Sequence, residues 1–150
     1  MKLLCVLPVL ACAGLLVGAC GSSNGNGDEM AEFAGTYAVI ETFRDQTGTQ
    51  CGNPPGIEDN TVRMAVDKNT LEAVFTNRWG TLNGQIQPDR TFIVSGSLSA
   101  GESLSCTGTF TKGAGAADGG GDLFTFVGLM RDIRQGCTRQ FDLEGEKRVP

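Results

Sequence analysis

The sequence contains no histidine, which is the commonest general base and metal ligand in proteins. Its absence excludes Ser-His and Cys-His nucleophile pairs, and no motif supports a serine–lysine mechanism in their place. No glycine cluster follows a strand and begins a helix, so a phosphate-binding loop is not predicted either. We therefore expect a protein that is not an enzyme and that holds no metal or cofactor.

Positive charge is also scarce in this chain. Seventeen Asp and Glu residues stand against 12 Lys and Arg, which gives a net charge of −5. An acidic surface disfavours both nucleic acid and electrostatic attachment to anionic lipid. Long apolar runs are absent after the first 20 residues, so the rest of the chain is not expected to enter a membrane.

The amino-terminal segment has the pattern of an export signal. A single positive charge at Lys2 precedes an apolar run over residues 3–17, which is interrupted by Pro8 and Gly14. A permanent transmembrane helix needs about 20 apolar residues, so this run is too short to be one. It is typical of a secretory signal that ends in small residues at a cleavage site.

The signal ends in Leu16-Val17-Gly18-Ala19-Cys20, which resembles the lipobox of bacterial lipoproteins. The resemblance implies that residues 1–19 are removed and that Cys20 is acylated, so that its lipid anchors the protein to the membrane. Stable anchoring needs at least two acyl chains, and lipoprotein processing would supply them. Gly21 in place of an acidic residue favours the outer membrane. The alternative is ordinary cleavage near Ala19, which would leave Cys20 as a plain thiol.

Residues 20–34 are interpreted as a flexible linker between the lipid and a domain at 35–150. The stretch from 21 to 32 reads GSSNGNGDEMAE, with almost nothing to bury. Such a composition behaves as a flexible coil.

From residue 35 onward, apolar residues alternate with polar ones and helical periodicity is nearly absent. Eight segments follow this pattern: 37–43, 62–66, 71–75, 82–87, 92–98, 103–111, 123–130 and a last one that carries Phe141 and Leu143. Short strands separated by frequent turns predict an antiparallel barrel or sandwich. Eight strands can close into a barrel that is filled by side chains or holds one small ligand, and the pattern leaves that choice open. The phenylalanines, about one per strand, are predicted to form the core.

The start of the first strand adds a family resemblance. Gly35-Thr36-Tyr37 is similar to the Gly-x-Trp that begins the first strand of lipocalins, with Tyr in place of Trp. The resemblance implies an eight-stranded up-and-down barrel in which Arg148 lies over the ring of Tyr37 as a cation–π contact. The alternative is an immunoglobulin-like β-sandwich.

Three cysteines remain after Cys20, namely Cys51, Cys106 and Cys137. The alternating strand directions of an up-and-down barrel place all three near one rim. An exported protein permits disulfides, and three thiols allow one bridge. Cys106–Cys137 is slightly favoured and Cys51–Cys137 follows closely.

A binding site, if there is one, is expected at the same rim. The loop predicted over residues 45–60 is the longest connection, and loops of that length are often functional. Arg78, Trp79, Arg131 and Arg134 would lie beside it. We expect a small apolar ligand inside the barrel or an envelope protein at the rim. The alternative is a structural lipoprotein whose barrel is packed solid.

Overall fold

The chain folds into a closed barrel of eight antiparallel strands. The computed structural model describes residues 29–76, 81–99, 101–114 and 121–148. The strands are β1 (Gly35–Gly48), β2 (Ile57–Asp67), β3 (Thr70–Phe75), β4 (Thr81–Ile86), β5 (Thr91–Ser99), β6 (Glu102–Gly113), β7 (Leu123–Arg134) and β8 (Cys137–Lys147). No helix among the described residues is long and apolar enough to cross a bilayer.

Each strand pairs with its neighbours in sequence, and β1 also pairs antiparallel with β8 to close the barrel. The predicted up-and-down barrel is therefore confirmed, and the sandwich alternative is wrong. The β1–β8 seam removes the free edges that an open sheet of this length would expose.

Several strands are longer than the apolar alternation predicted. β1 continues to Gly48, so the first loop spans only residues 49–56 instead of 45–60. Beyond Thr42 this strand pairs with β8 alone, after an irregularity between Phe43 and Asp45. Residues 44–48 are polar and have no apolar alternation of their own, so their strand conformation depends on backbone pairing with β8.

The interior is packed with aromatic side chains at one end. Tyr37, Phe92, Phe110 and Phe126 are at most 3% exposed, and their ring centroids lie 4.8–6.0 Å apart. These separations are typical of tilted and edge-to-face aromatic pairs. The prediction that the phenylalanines form the core is confirmed.

Two inward-facing glycines make room for these rings. A Cβ atom at Gly108 would lie 2.6 Å from the ring of Phe92, and one at Gly145 would overlap the ring of Phe126. The absence of a side chain at these two positions therefore leaves space inside the barrel for the aromatic rings.

Residues 29–34, which we call the cap, close this end of the barrel. Met30 and Phe33 are 2% and 0% exposed, and Phe33 stacks on Phe110 at 4.9 Å between ring centroids. Residues 29–34 are therefore packed against the barrel and are not part of a flexible linker, whereas residues 20–28 of the predicted linker lie outside the described residues. A helical turn at 29–31 allows two isolated apolar residues, three positions apart, to face the barrel together.

Polar contacts fasten the cap to the strands. The Tyr37 hydroxyl donates to the carbonyl of Phe33 at 2.8 Å, and Lys147 Nζ donates to the carbonyl of Glu32 at 2.7 Å. The carboxylate of Glu32 also pairs with Lys112 Nζ at 2.6 Å. These contacts join the cap to β1, β6 and β8.

The basic residue at the seam is Lys147, and not Arg148 as the lipocalin resemblance implied. Lys147 lies opposite Tyr37 in the β1–β8 register, and its Nζ lies 4.7 Å from the centroid of the Phe124 ring. Arg148 has the opposite strand parity and is exposed, so it cannot lie over a ring inside the barrel.

Candidate functional site at the disulfide rim

The end opposite the cap carries a polar cavity of about 250 Å³, which we call the rim. It is formed where the loop 49–56 and the β7–β8 turn meet the start of β6. Its lining residues are Gln50, Glu102, Asp132, Arg134, Gln135, Cys137 and Arg139.

A disulfide between Cys51 and Cys137 fastens the first loop to β8 beside this cavity. The two Cα atoms are 4.9 Å apart, and the bridge closes a sequence separation of 86 residues. The prediction of one bridge is confirmed, but the favoured pair, Cys106–Cys137, is wrong.

Cys106 lies too deep in the barrel to reach this rim. It is opposite Met130 on β7, which is opposite Phe141 on β8. Cys137 stands four residues from Phe141, or about 13 Å along the strand, and β7 lies between the two cysteines. Cys106 therefore remains a free thiol among core side chains.

Burial lowers the reactivity of the free thiol of Cys106. Burial, with a smaller contribution from the charge of Glu41, raises the pKa of Cys106 to about 12. The thiolate is the nucleophilic form of cysteine, so Cys106 is inert at neutral pH.

The side chain of Arg139 holds the first loop, residues 49–56, by hydrogen bonds to its backbone. Its Nη2 donates to the carbonyl of Cys51 and, at 3.4 Å, to that of Asn53. On β1, Gln46 Nε2 donates to the carbonyl of Gly52 at 3.0 Å. Arg139 was not predicted as a rim residue, although its position two residues after Cys137 places both on the same face of β8.

Asp132 and Arg134 form a charged pair on the inner face of β7. Nε and Nη2 of the guanidinium lie 3.0–3.1 Å from the carboxylate oxygens. Asp132 is only 3% exposed, and hydrogen bonds between ionised groups are among the strongest in proteins. Asp132 was also missed, although alternation from the buried Met130 places it on the inner face.

Of the four residues predicted at the rim, Arg131 and Arg134 lie in the part of the chain that the structure describes. Arg134 lines the rim cavity. Arg131 is exposed on the outer wall, because a shift of one residue along a strand moves a side chain to the other face. It does not line the rim cavity. Arg78 and Trp79 lie outside the described residues, and so does Cys20, the predicted lipidation site.

A second polar site that the sequence analysis missed lies inside the barrel. Glu41 is fully buried, and its Oε1 accepts a hydrogen bond of 2.8 Å from Nδ2 of Asn60. The signal was present in the alternation, since Tyr37, Val39 and Glu41 share a face. The amide meets part of the hydrogen-bonding need that burial of the carboxylate creates.

The described side chains contain no group of three or more His, Cys, Asp or Glu residues placed to hold a metal ion. What the rim offers is instead a set of fixed hydrogen-bond donors and acceptors around a concave surface. No protein-family model matches the chain, and no curated protein is significantly similar to it in sequence.

Proposed function

We propose that this protein is a non-catalytic, lipid-anchored binding module that engages an envelope protein through its rim. Cys20 carries the lipid and holds the domain at the bacterial outer membrane. The observation that supports this proposal best is the difference between the two ends of the barrel. One end is closed by the cap, and the other presents the disulfide-fastened polar cavity.

The packing of the barrel favours the rim over the interior as the binding surface. The cap and the aromatic cluster occupy the end where an apolar ligand would otherwise be held. The rim, by contrast, combines Arg134, Glu102 and Gln135 around one concavity. Polar groups held by a rigid scaffold are typical of protein recognition surfaces.

The position of the anchor adds a direction to the proposal. Residues 21–28 join Cys20 to the cap and span at most roughly 26–29 Å. The cap end would therefore stay close to the lipid surface, and the rim would point away from it towards a partner.

The test is to substitute Cys20 and to follow both anchoring and partner contact in cells. Cys20→Ala is expected to abolish labelling by a radioactive fatty acid and to release the domain from the membrane fraction. A photo-crosslinking residue at Gln50 should give a discrete adduct in the anchored protein, and the adduct should weaken in Cys20→Ala.

Cys12→Ala is the matched control and should keep the label. Labelling that persists in Cys20→Ala, or that is lost in Cys12→Ala, would contradict the anchor. A crosslinking residue at Glu72, on the outer wall, should give no adduct of the same mass as that at Gln50.

The second candidate is a structural envelope lipoprotein with a solid barrel, which the packed aromatic cluster also favours. It makes the same anchoring prediction but expects no discrete adduct at Gln50. The crosslinking result therefore separates the two.

A further inference from the structure

Outward-facing residues of β1, β2, β7 and β8 form a shallow groove of about 470 Å³ on the barrel wall. The register places Asp59, Ile40, Glu144 and Val127 side by side in one row across the four strands. Glu146 lies two residues further along β8, between Ala38 and Thr125. We call the groove lined by these side chains the acidic wall.

The acidic wall exposes one apolar side chain on each side of Glu144. Ile40 is 46% exposed and Val127 is 60% exposed. Glu144 stands between them, so the two apolar side chains are about two strand spacings, or ~10 Å, apart. An isolated exposed apolar residue needs no explanation, but a pair that borders a groove marks an interaction surface.

The acidic wall carries more negative than positive charge. The structure gives no ion pair for Asp59, Glu144 or Glu146 within the described part of the chain. Among the residues that the structure describes, Arg148 is the one cation that lines the groove. The next carboxylate along β8, Asp142, is already paired with Arg44 at 3.0 Å. Three carboxylates against one guanidinium leave a net negative groove.

We propose that the acidic wall binds an extended basic segment of another protein, with lysine or arginine at alternate positions. Glu144 and Glu146 are two residues apart on one strand, or about 7 Å. An extended partner presents alternate side chains at the same spacing. The long stems of its basic residues would pack on Ile40 and Val127 while their charged heads reach the carboxylates.

This surface is separate from the rim. Its residues lie on the outer faces of β1, β2, β7 and β8, whereas the rim residues Asp132, Cys137 and Arg139 have the inner parity of their strands. Loss of binding at one surface therefore leaves the proposal for the other unchanged.

The test is a binding titration of the full chain carrying Cys20→Ala with a short blocked peptide that alternates lysine and serine. We expect binding that weakens as salt is raised, because exposed charge pairs are screened. Glu144→Gln and Glu146→Gln should each weaken binding roughly two- to fivefold, as expected for one partly exposed charge pair. Val127→Ser should weaken it as well, through lost contact with the lysine stems.

Matched controls lie elsewhere on the outer wall of the same barrel. Glu72→Gln and Ile93→Ser remove an outward carboxylate and an exposed apolar side chain away from the groove, and they should leave binding unchanged. A peptide that alternates glutamate and serine should not bind.

Equal binding of both peptides, equal loss in the control variants, or no binding of the lysine peptide would overturn the proposal. It would also be overturned if Val127→Ser changed the oligomeric state without peptide, since the wall would then be a contact between two copies of this chain.

Discussion

At the scale of single residues, the parity of a position along its strand decides its role. Arg131 and Arg134 lie on the same strand, yet one is exposed on the outer wall and the other lines the rim. Glu41 faces inward by the same rule and is buried with Asn60 as its partner. Residue type alone would have placed all three charged side chains in solvent.

Parity also explains why a larger residue at position 145 should destabilise the barrel, since this position faces the interior. Gly145→Ala should lower the free energy of unfolding by roughly 1–3 kcal/mol, because its Cβ would overlap the buried ring of Phe126. Urea denaturation measures the loss.

Gly56→Ala is the control, because a Cβ there meets nothing within 4 Å. It should change stability by no more than about 0.5 kcal/mol. If the two variants were equally stable, the close packing of Phe126 on Gly145 would be wrong.

At the scale of elements, the first loop and the cap are held to the barrel in different ways. The loop 49–56 has no regular structure, and it is held by the Cys51–Cys137 bridge and by the side chains of Arg139 and Gln46. The cap is held chiefly by the burial of Met30 and Phe33. The disulfide is therefore needed at the rim and not at the cap.

Removal of the bridge should destabilise the protein substantially. The double variant Cys51→Ala/Cys137→Ala should lose about 2–5 kcal/mol of unfolding free energy, because the bridge restricts the unfolded chain over a long loop. Thermal unfolding with and without dithiothreitol measures this, and the reductant should destabilise the wild-type protein but not the double variant.

Cys106→Ala distinguishes the two pairings. It should keep the full effect of the reductant, since Cys106 is a free thiol. If the effect of dithiothreitol disappeared in Cys106→Ala, the bridge would involve Cys106 instead of Cys51.

At the scale of the whole molecule, the barrel has one sealed end and one polar end. The seam between β1 and β8 joins the two ends of the domain, and the cap covers the seam through Glu32 and Lys147. Because the interior near the cap is filled by aromatic rings, we expect the protein to behave as a solid scaffold instead of a container.

A small apolar probe tests whether the barrel is solid. Benzene should cause no stoichiometric NMR shift changes in the wild-type barrel. Phe33→Ala should create an apolar cavity against Phe110 and Phe124 that binds benzene, as engineered apolar cavities do. It should also cost about 3–5 kcal/mol of stability.

Phe33→Val, which leaves a smaller space, serves if Phe33→Ala does not fold. Ile57→Ala removes a side chain that is 71% exposed and should neither bind benzene nor lose stability. Saturable binding of benzene by the wild-type protein would show that the barrel is hollow.

The sequence by itself predicted eight antiparallel strands, and its resemblance to lipocalins indicated an up-and-down barrel instead of a sandwich. Alternation of apolar residues is a local signal, and short turns between strands predict antiparallel neighbours. The resemblance of residues 16–20 to a lipobox is equally local, so the expected export and anchoring depend on no fold. The inner positions of Glu41 and Asp132 could have been read from the same alternation.

Only the tertiary structure decided which cysteine pairs with Cys137, how far β1 extends and that the cap is buried. Each of these depends on the register between segments far apart in the sequence, such as Gly48 opposite Cys137. Met30 and Phe33 look like isolated apolar residues in a polar stretch until the barrel provides an open end for them to fill. Local patterns specify strands, but the relative heights of side chains on different strands exist only once the barrel has closed.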